Sequence, residues 1–194
     1  MRIVTIQTQV PDSVFLKLEQ APKEMRRGLK DAVNEMARQT EEDIRIDVYQ
    51  RYALKSGRFK KGNVKLQKAT VSKPTAKIKI KGNPISLKTG YRTRKNGIRK
   101  AGQAQVERAG GFEELKKSNG LKAFITTATQ EDSDGNEHSY TNLFQRKGKE
   151  RYPIKAFHGP GQAKLAEMVF RDMKEDKEDE LRRRIFHLAE RIMQ

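Results

Sequence analysis

Met25, Leu29, Ala32, Val33, Met36, Ala37, Thr40, Ile44 and Val48 recur at three- and four-residue steps, and the positions between them are mostly Arg, Lys, Glu, Asp and Gln. Such spacing places the apolar side chains on one stripe of an α-helix. It predicts a helix from Pro22 to Ala53, about eight turns long. Pro22 falls in the first turn, where a missing amide proton is not needed, and Ser56-Gly57 lies past the end. A stripe of this length needs a cover, so the chain must supply a sheet or a further helix to pack against it.

After Gly57 the period becomes two. VKLQKATVSK and TAKIKIKG alternate around Lys73-Pro74, with Ile78 and Ile80 on one face and Lys77, Lys79 and Lys81 on the other. They read as a hairpin with one buried and one basic face. MRIVTIQTQV alternates likewise and predicts a strand ended by Pro11. Asp12 or Ser13 would then cap a short helix through Val14, Phe15 and Leu18. LKAFITTATQ and SYTNLFQRKG form a second hairpin about Asp134-Gly135-Asn136. Between the hairpins, NPISL is a short apolar stretch, and Tyr91–Gly120 is rich in Gly and Lys with weak periodicity, so a basic extended arm is expected at about 88–120. Pro160 opens the last helix. Its first apolar face is Leu165, Met168, Val169 and Met173; its second is Leu181, Ile185, Leu188 and Ile192, with the solvated or bending turn KEDKEDE between. The expectation is one α+β domain over 1–194, a small antiparallel sheet of β-hairpins packed on the long helix and on a C-terminal helical extension at about 160–194.

The formal net charge is +17, and it is unevenly placed. No carboxylate occurs between Asp47 and Glu107. The acid-free stretch Ser56–Gln105 would attract a polyanion or an acidic protein face. Lys60, Lys61, Arg92, Arg94, Lys95, Arg99 and Lys100 are its candidate contacts, with Phe59 and Tyr91 as stacking platforms. The N-terminus lacks a signal peptide's apolar core, and no run approaches the roughly 20 apolar residues needed to span a bilayer. The expected setting is a cytoplasm, or an assembly built from it, with no membrane.

Catalytic patterns are absent. There is no cysteine, and His138, His158 and His187 show no metal-ligand pairing. GxxxxGK[ST], GxGxxG and GxSxG do not occur. EDSDGNE lacks the distal Glu of a calcium loop, so Asp132, Asp134 and Glu137 read as a turn. Glu41, Glu42, Asp43, Asp47 and the acidic run 175–180 read as solvated helix faces with neighbouring Arg and Lys, such as Arg45 and Arg51 four residues after Glu41 and Asp47. The chain is expected to be no enzyme and to need no cofactor.

IKIKGNPISL (78–87), KAFIT (122–126) and LFQRKGKERYPIKAFHGPG (143–161) stand in an order that resembles the prophage minor tail protein Z family, the tail-completion proteins of long-tailed bacteriophages. Ser86, Tyr152 and Gly161 replace that family's Pro, Leu and Ser. The resemblance covers roughly Gln20 to Ala166. It implies a non-enzymatic virion component, made in the host bacterial cytoplasm and placed at the head-proximal end of the tail. There it would join the tail tube or tail terminator to neck and connector proteins, as a homo-oligomeric ring around the path of phage DNA. Phe144, Arg146, Lys147, Lys149, Arg151, Pro153, Ile154, Lys155, Gly159 and Pro160 are then the subunit-interface candidates. The alternative is a cytoplasmic protein that binds nucleic acid without sequence preference.

Overall fold

The computed structural model describes residues 1–9, 22–95, 102–115, 121–150 and 152–193. The elements in chain order are β1 Arg2–Gln9, α1 Lys23–Arg51, β2 Val64–Gln67, β3 Thr75–Gly82, β4 Ile85–Ser86, α2 Leu87–Gly90, β5 Arg92–Lys95, β6 Gly102–Gln105, β7 Glu113–Glu114, β8 Phe124–Glu131, β9 Glu137–Arg146, β10 Ile154–Ala156, β11 His158–Gly159 and α3 Gln162–Met193. The class is α+β. The short helix expected after Pro11 lies outside the described residues. Two compact units result: Met1–Asp47, Lys60–Gly82 and Gln162–Gln194 form one, and Val48–Phe59 with Asn83–Gly161 the other.

In the first unit β3 is the central strand, antiparallel to β1 on one side and β2 on the other. Val4 and Val64 meet at Ile80, and Ile6 and Leu66 meet at Ile78. Because side chains alternate across a strand, these residues share one face with Ala76, and α3 packs against β1 and β3 there. Leu29, Val33, Met36, Ala37 and Ile44 of α1 are buried as their spacing predicts, as are Ala163, Leu165, Ala166, Val169, Leu181 and Ile185 of α3. KEDKEDE stays helical inside α3 and is mostly exposed.

Two buried amides fix the loops of this unit. Asn34 accepts the Ala69 N–H through Oδ1 at 2.7 Å and donates from Nδ2 to the Ala69 carbonyl at 3.2 Å. Gln162, in the first turn of α3, accepts the Lys60 N–H and donates to the Lys60 carbonyl, both at 3.0 Å. Asn34 thereby serves the backbone pair of buried Ala69, which would otherwise lack partners away from water, while Gln162 pins Lys60, whose carbonyl also accepts the Asn63 N–H at 3.1 Å.

Charged groups of α1 and α3 interlock. Lys177 lies 2.7 Å from Asp43 and 3.2 Å from Glu180; Arg184 lies 2.5 Å from Glu180 and donates to Gln39 Oε1 at 2.6 Å. Partial burial opposes the charge on Glu180, but hydrogen bonds from Lys177 and Arg184 outweigh it and hold its pKa below the ordinary glutamate value. A depressed carboxylate contributes stability that is complete above the unfolded pKa and disappears as pH falls through the folded one. Glu180→Gln is therefore expected to flatten the fall in melting temperature between about pH 5 and pH 3, measured by thermal scans of both proteins.

The second unit holds small antiparallel sheets. β9 lies between β8 and β10, β11 pairs with β4, and β6 lies between β5 and β7. The expected hairpin about Asp134-Gly135-Asn136 forms as β8–β9, with a register running from Phe124 opposite Phe144 to Glu131 opposite Glu137. The described part of the expected extended arm is instead the β5-β6-β7 sheet, with Gly102–Gln105 buried along its whole length. Its sequence, GQAQ, has no apolar alternation, because its backbone pairing and side-chain amides do the fixing. Gly102 N–H donates to the Ala123 carbonyl at 2.7 Å, Arg94 Nε to Gln103 at 2.6 Å, and Gln105 Nε2 to the Arg108 carbonyl at 2.9 Å. Just past α1, Ala53 N–H bonds the Val106 carbonyl and Lys55 N–H the Gly90 carbonyl, each at 2.8 Å.

Candidate functional site

Residues 144–161 form the end of β9, an exposed connection, β10, β11 and the approach to α3. Arg146 is opposite Ile154, Phe144 is opposite Ala156, and the Lys147 N–H closes the turn on the Pro153 carbonyl at 3.0 Å. Arg146, Lys147, Lys149, Pro153 and Lys155 are exposed and Ile154 is half-buried. Arg151 lies outside the described residues. The Arg146 guanidinium stands 5.9 Å from the Phe124 ring centre, an exposed cation–π contact.

Phe144 and Gly159 are not at this surface. Phe144 is 1% exposed, with its ring 5.5 Å from that of Tyr140, so it is core and is removed from the interface candidates. Gly159 is buried against α2 and Tyr91; a Cβ there would come within 2.6 Å of the Tyr91 ring and 3.0 Å of Leu87. Phe144 lies inside as an apolar ring in the buried run 142–145, and Gly159 because the chain passes directly against the Tyr91 and Leu87 side chains. Gly161 is closer still, since any Cβ would overlap the Asn83 carbonyl. Pro160 lies outside α3, which begins at Gln162 rather than at the proline. Its carbonyl accepts the Tyr91 hydroxyl.

Sequence patterns missed the residues that hold this segment. Tyr91 is fully buried, and burial first, with neighbouring Tyr52 second, pushes its phenol above the ordinary value, so it serves as a neutral donor. Asn142 donates to the Phe157 carbonyl at 3.0 Å and accepts the Lys88 N–H at 3.3 Å, while Gln145 donates to the Leu121 carbonyl at 2.6 Å. The one signal available was an amide at every third position of an otherwise apolar strand end, Asn142 and Gln145 around Leu143-Phe144.

Of the polyanion candidates, Lys60 and Lys61 are exposed in the first unit, while Arg92 and Arg94 are exposed in the second. Arg94 is already engaged, by Gln103 and by the Phe112 ring at 4.5 Å. Lys95 ends β5, and Arg99 and Lys100 lie outside the described residues. Phe59 and Tyr91 are buried, so neither is a stacking platform.

Two of the carboxylates weighed for chemistry, Asp132 and Asp43, are occupied structurally. Asp132 accepts the Asn136 N–H at 2.9 Å, the Asp134 N–H at 3.0 Å and His138 Nε2 at 2.8 Å. Those bonds, the Asn136 amide first, hold its pKa below the usual carboxylate range. Asp43 is paired with Lys177, and among the described residues no group of three His, Asp or Glu side chains is placed to hold a metal. No described helix is long and apolar enough to cross a membrane.

These contacts make Gly161 and Tyr91 the sensitive positions. Gly161→Ala is expected to cost about 3 kcal/mol or to prevent folding, since backbone cannot yield as a side chain does. Tyr91→Phe, which strands a carbonyl, should cost about 1–2 kcal/mol. Gly148→Ala, with open space around it, should be neutral. Urea unfolding of the three variants checks the order.

The family model described as Prophage minor tail protein Z (GPZ) matches residues 13–191. Comparison with curated proteins and with solved structures gives no match.

Proposed function

The chain belongs to the prophage minor tail protein Z family, and from that premise we propose that it completes the tail at its head-proximal end. Membership makes it a minor tail protein and so a component of the phage particle. In the finer reading it joins the tail tube or its terminator to the neck, as a ring around the DNA path, and it does so without catalysis. The observation that supports this reading is the β9–β10 connection, closed by the Lys147 N–H on the Pro153 carbonyl, whose described residues Arg146, Lys147, Lys149 and Lys155 are basic and exposed. Among the described residues, none of Arg146, Lys147, Lys149 and Lys155 is paired with a carboxylate.

The β8–β9 tip carries Glu131, Asp134 and Glu137, all exposed. The chain thus presents both signs of charge at different places, as a head-to-tail contact between copies requires, and such contacts close into rings when the rotation permits. Exposed charges of this kind speed docking and fix orientation more than they add affinity.

Lys147→Glu combined with Lys149→Glu is expected to leave the melting temperature unchanged and to lower the yield of joined particles by about a hundredfold, as loss of two oriented charge contacts would. Electron microscopy should then show tails without heads beside filled heads without tails. If mass spectrometry of purified particles finds the wild-type protein missing, the reading fails in favour of a free cytoplasmic protein.

A further inference from the structure

The solvent side of the β1-β3-β2 sheet carries Lys65, Lys77, Lys79 and Lys81, and the register places Lys65 directly across from Lys79. Like charges opposed on one sheet face destabilise it. None of the three strands contains a carboxylate, and among the described residues no ion pair neutralises these lysines. The core on the opposite face would be served equally well by any polar residue here. The charge is therefore arranged for something that approaches from outside.

The composition of the face identifies that partner. Protein interfaces are depleted in Lys and enriched in Tyr, Trp, Phe, Met and Arg, and this face has none of those five; its one apolar member is Ile3. Its other groups, such as Gln7 opposite Lys77 and Thr5 opposite Lys79, donate hydrogen bonds as lysine does. Ammonium, amide and hydroxyl donors are the groups that contact phosphate and sugar. Alternate residues on a strand lie about 6.6–6.8 Å apart and neighbouring strands about 4.8 Å apart, so the lysines form a compact lattice of positive points. No aromatic ring is available to stack an unpaired base, which disfavours single strands.

We propose that this sheet face is a sequence-independent seat for the phosphate backbone of duplex DNA. Lys60 and Lys61, exposed just before β2, extend the charge at its edge. The seat rests on the tail-completion reading only in taking its polyanion to be the DNA that passes the tail.

The test is fluorescence anisotropy of the full chain with a random-sequence duplex and with a single strand of equal length, across a salt series. Wild type is expected to bind the duplex more tightly, with steep salt dependence. Lys→Gln at 65, 77, 79 and 81 together should reduce the log–log salt slope by roughly 3 to 4. That variant should melt no lower than wild type, since a repulsive pair has gone. A matched variant with Lys23, Arg27, Arg38 and Arg191 changed to Gln should move the slope by about one or less. An unchanged slope in the four-lysine variant, an equal loss in the matched variant, or no duplex binding by wild type overturns the seat. If wild type ignores duplex while the four-lysine variant is lost from particles, the face serves an acidic protein, which also overturns it. Presence of wild type in particles without duplex binding sinks the seat alone. Duplex binding by a protein missing from particles sinks the tail reading alone.

Discussion

Buried side-chain amides hold several of the described segments where this chain leaves regular structure. Asn34 clasps Ala69, Gln162 clasps Lys60, Asn142 ties Lys88 to Phe157, and Gln145 holds Leu121. The need is physical. Strands as short as β4, β7 and β11 satisfy few backbone groups through their ladders, and an unmet buried N–H or C=O costs about 1–3 kcal/mol. A side-chain amide offers both donor and acceptor on one rigid group, so a single residue can stand in for a missing strand neighbour.

That device explains what could be read from the sequence and what could not. The stripe Leu29 to Val48 fixed α1 to within two residues of its ends, and KIKIK fixed the central strand with its two unlike faces. Those signals come from periodic burial, which a linear chain displays openly. The GQAQ strand has no such pattern, so its composition predicts an arm where the structure has a paired sheet. The resemblance motif makes Phe144 an interface candidate, yet it lies in the run 142–145 of β9, which is buried at every position. Tyr91 looked like a stacking platform in a basic loop; its hydroxyl is instead committed to Pro160. In each case the decisive partner is far away in sequence, and no local rule could supply it.

The candidate surfaces divide by chemistry. The β9–β10 turn mixes Arg and Lys on a tip anchored by Asn142 and Gln145, which suits oriented contact between proteins. The sheet face offers only lysine among its charges, with amide and hydroxyl neighbours, which suits a regular array of phosphates. A surface that guides a polyanion without reading it, as proposed, has no use for a pocket, and Glu35 and Asp43 of α1 are engaged by Arg184 and Lys177 of α3. The glycines near the end of the β9–β11 segment are explained by close backbone crossings, so their density is architectural.

The lysine pair at the centre of the sheet face also bears on how this chain can change over generations. Replacing Lys65 by Glu would turn a repulsive cross-strand pair with Lys79 into an attractive one, yielding a sturdier subunit whose face is a poorer fit to the polymer proposed for it. Selection for robustness alone would drift in that direction, whereas selection for infectivity would pull back. With the face acting as the proposed seat, ruggedness and fitness pull this one position in opposite directions.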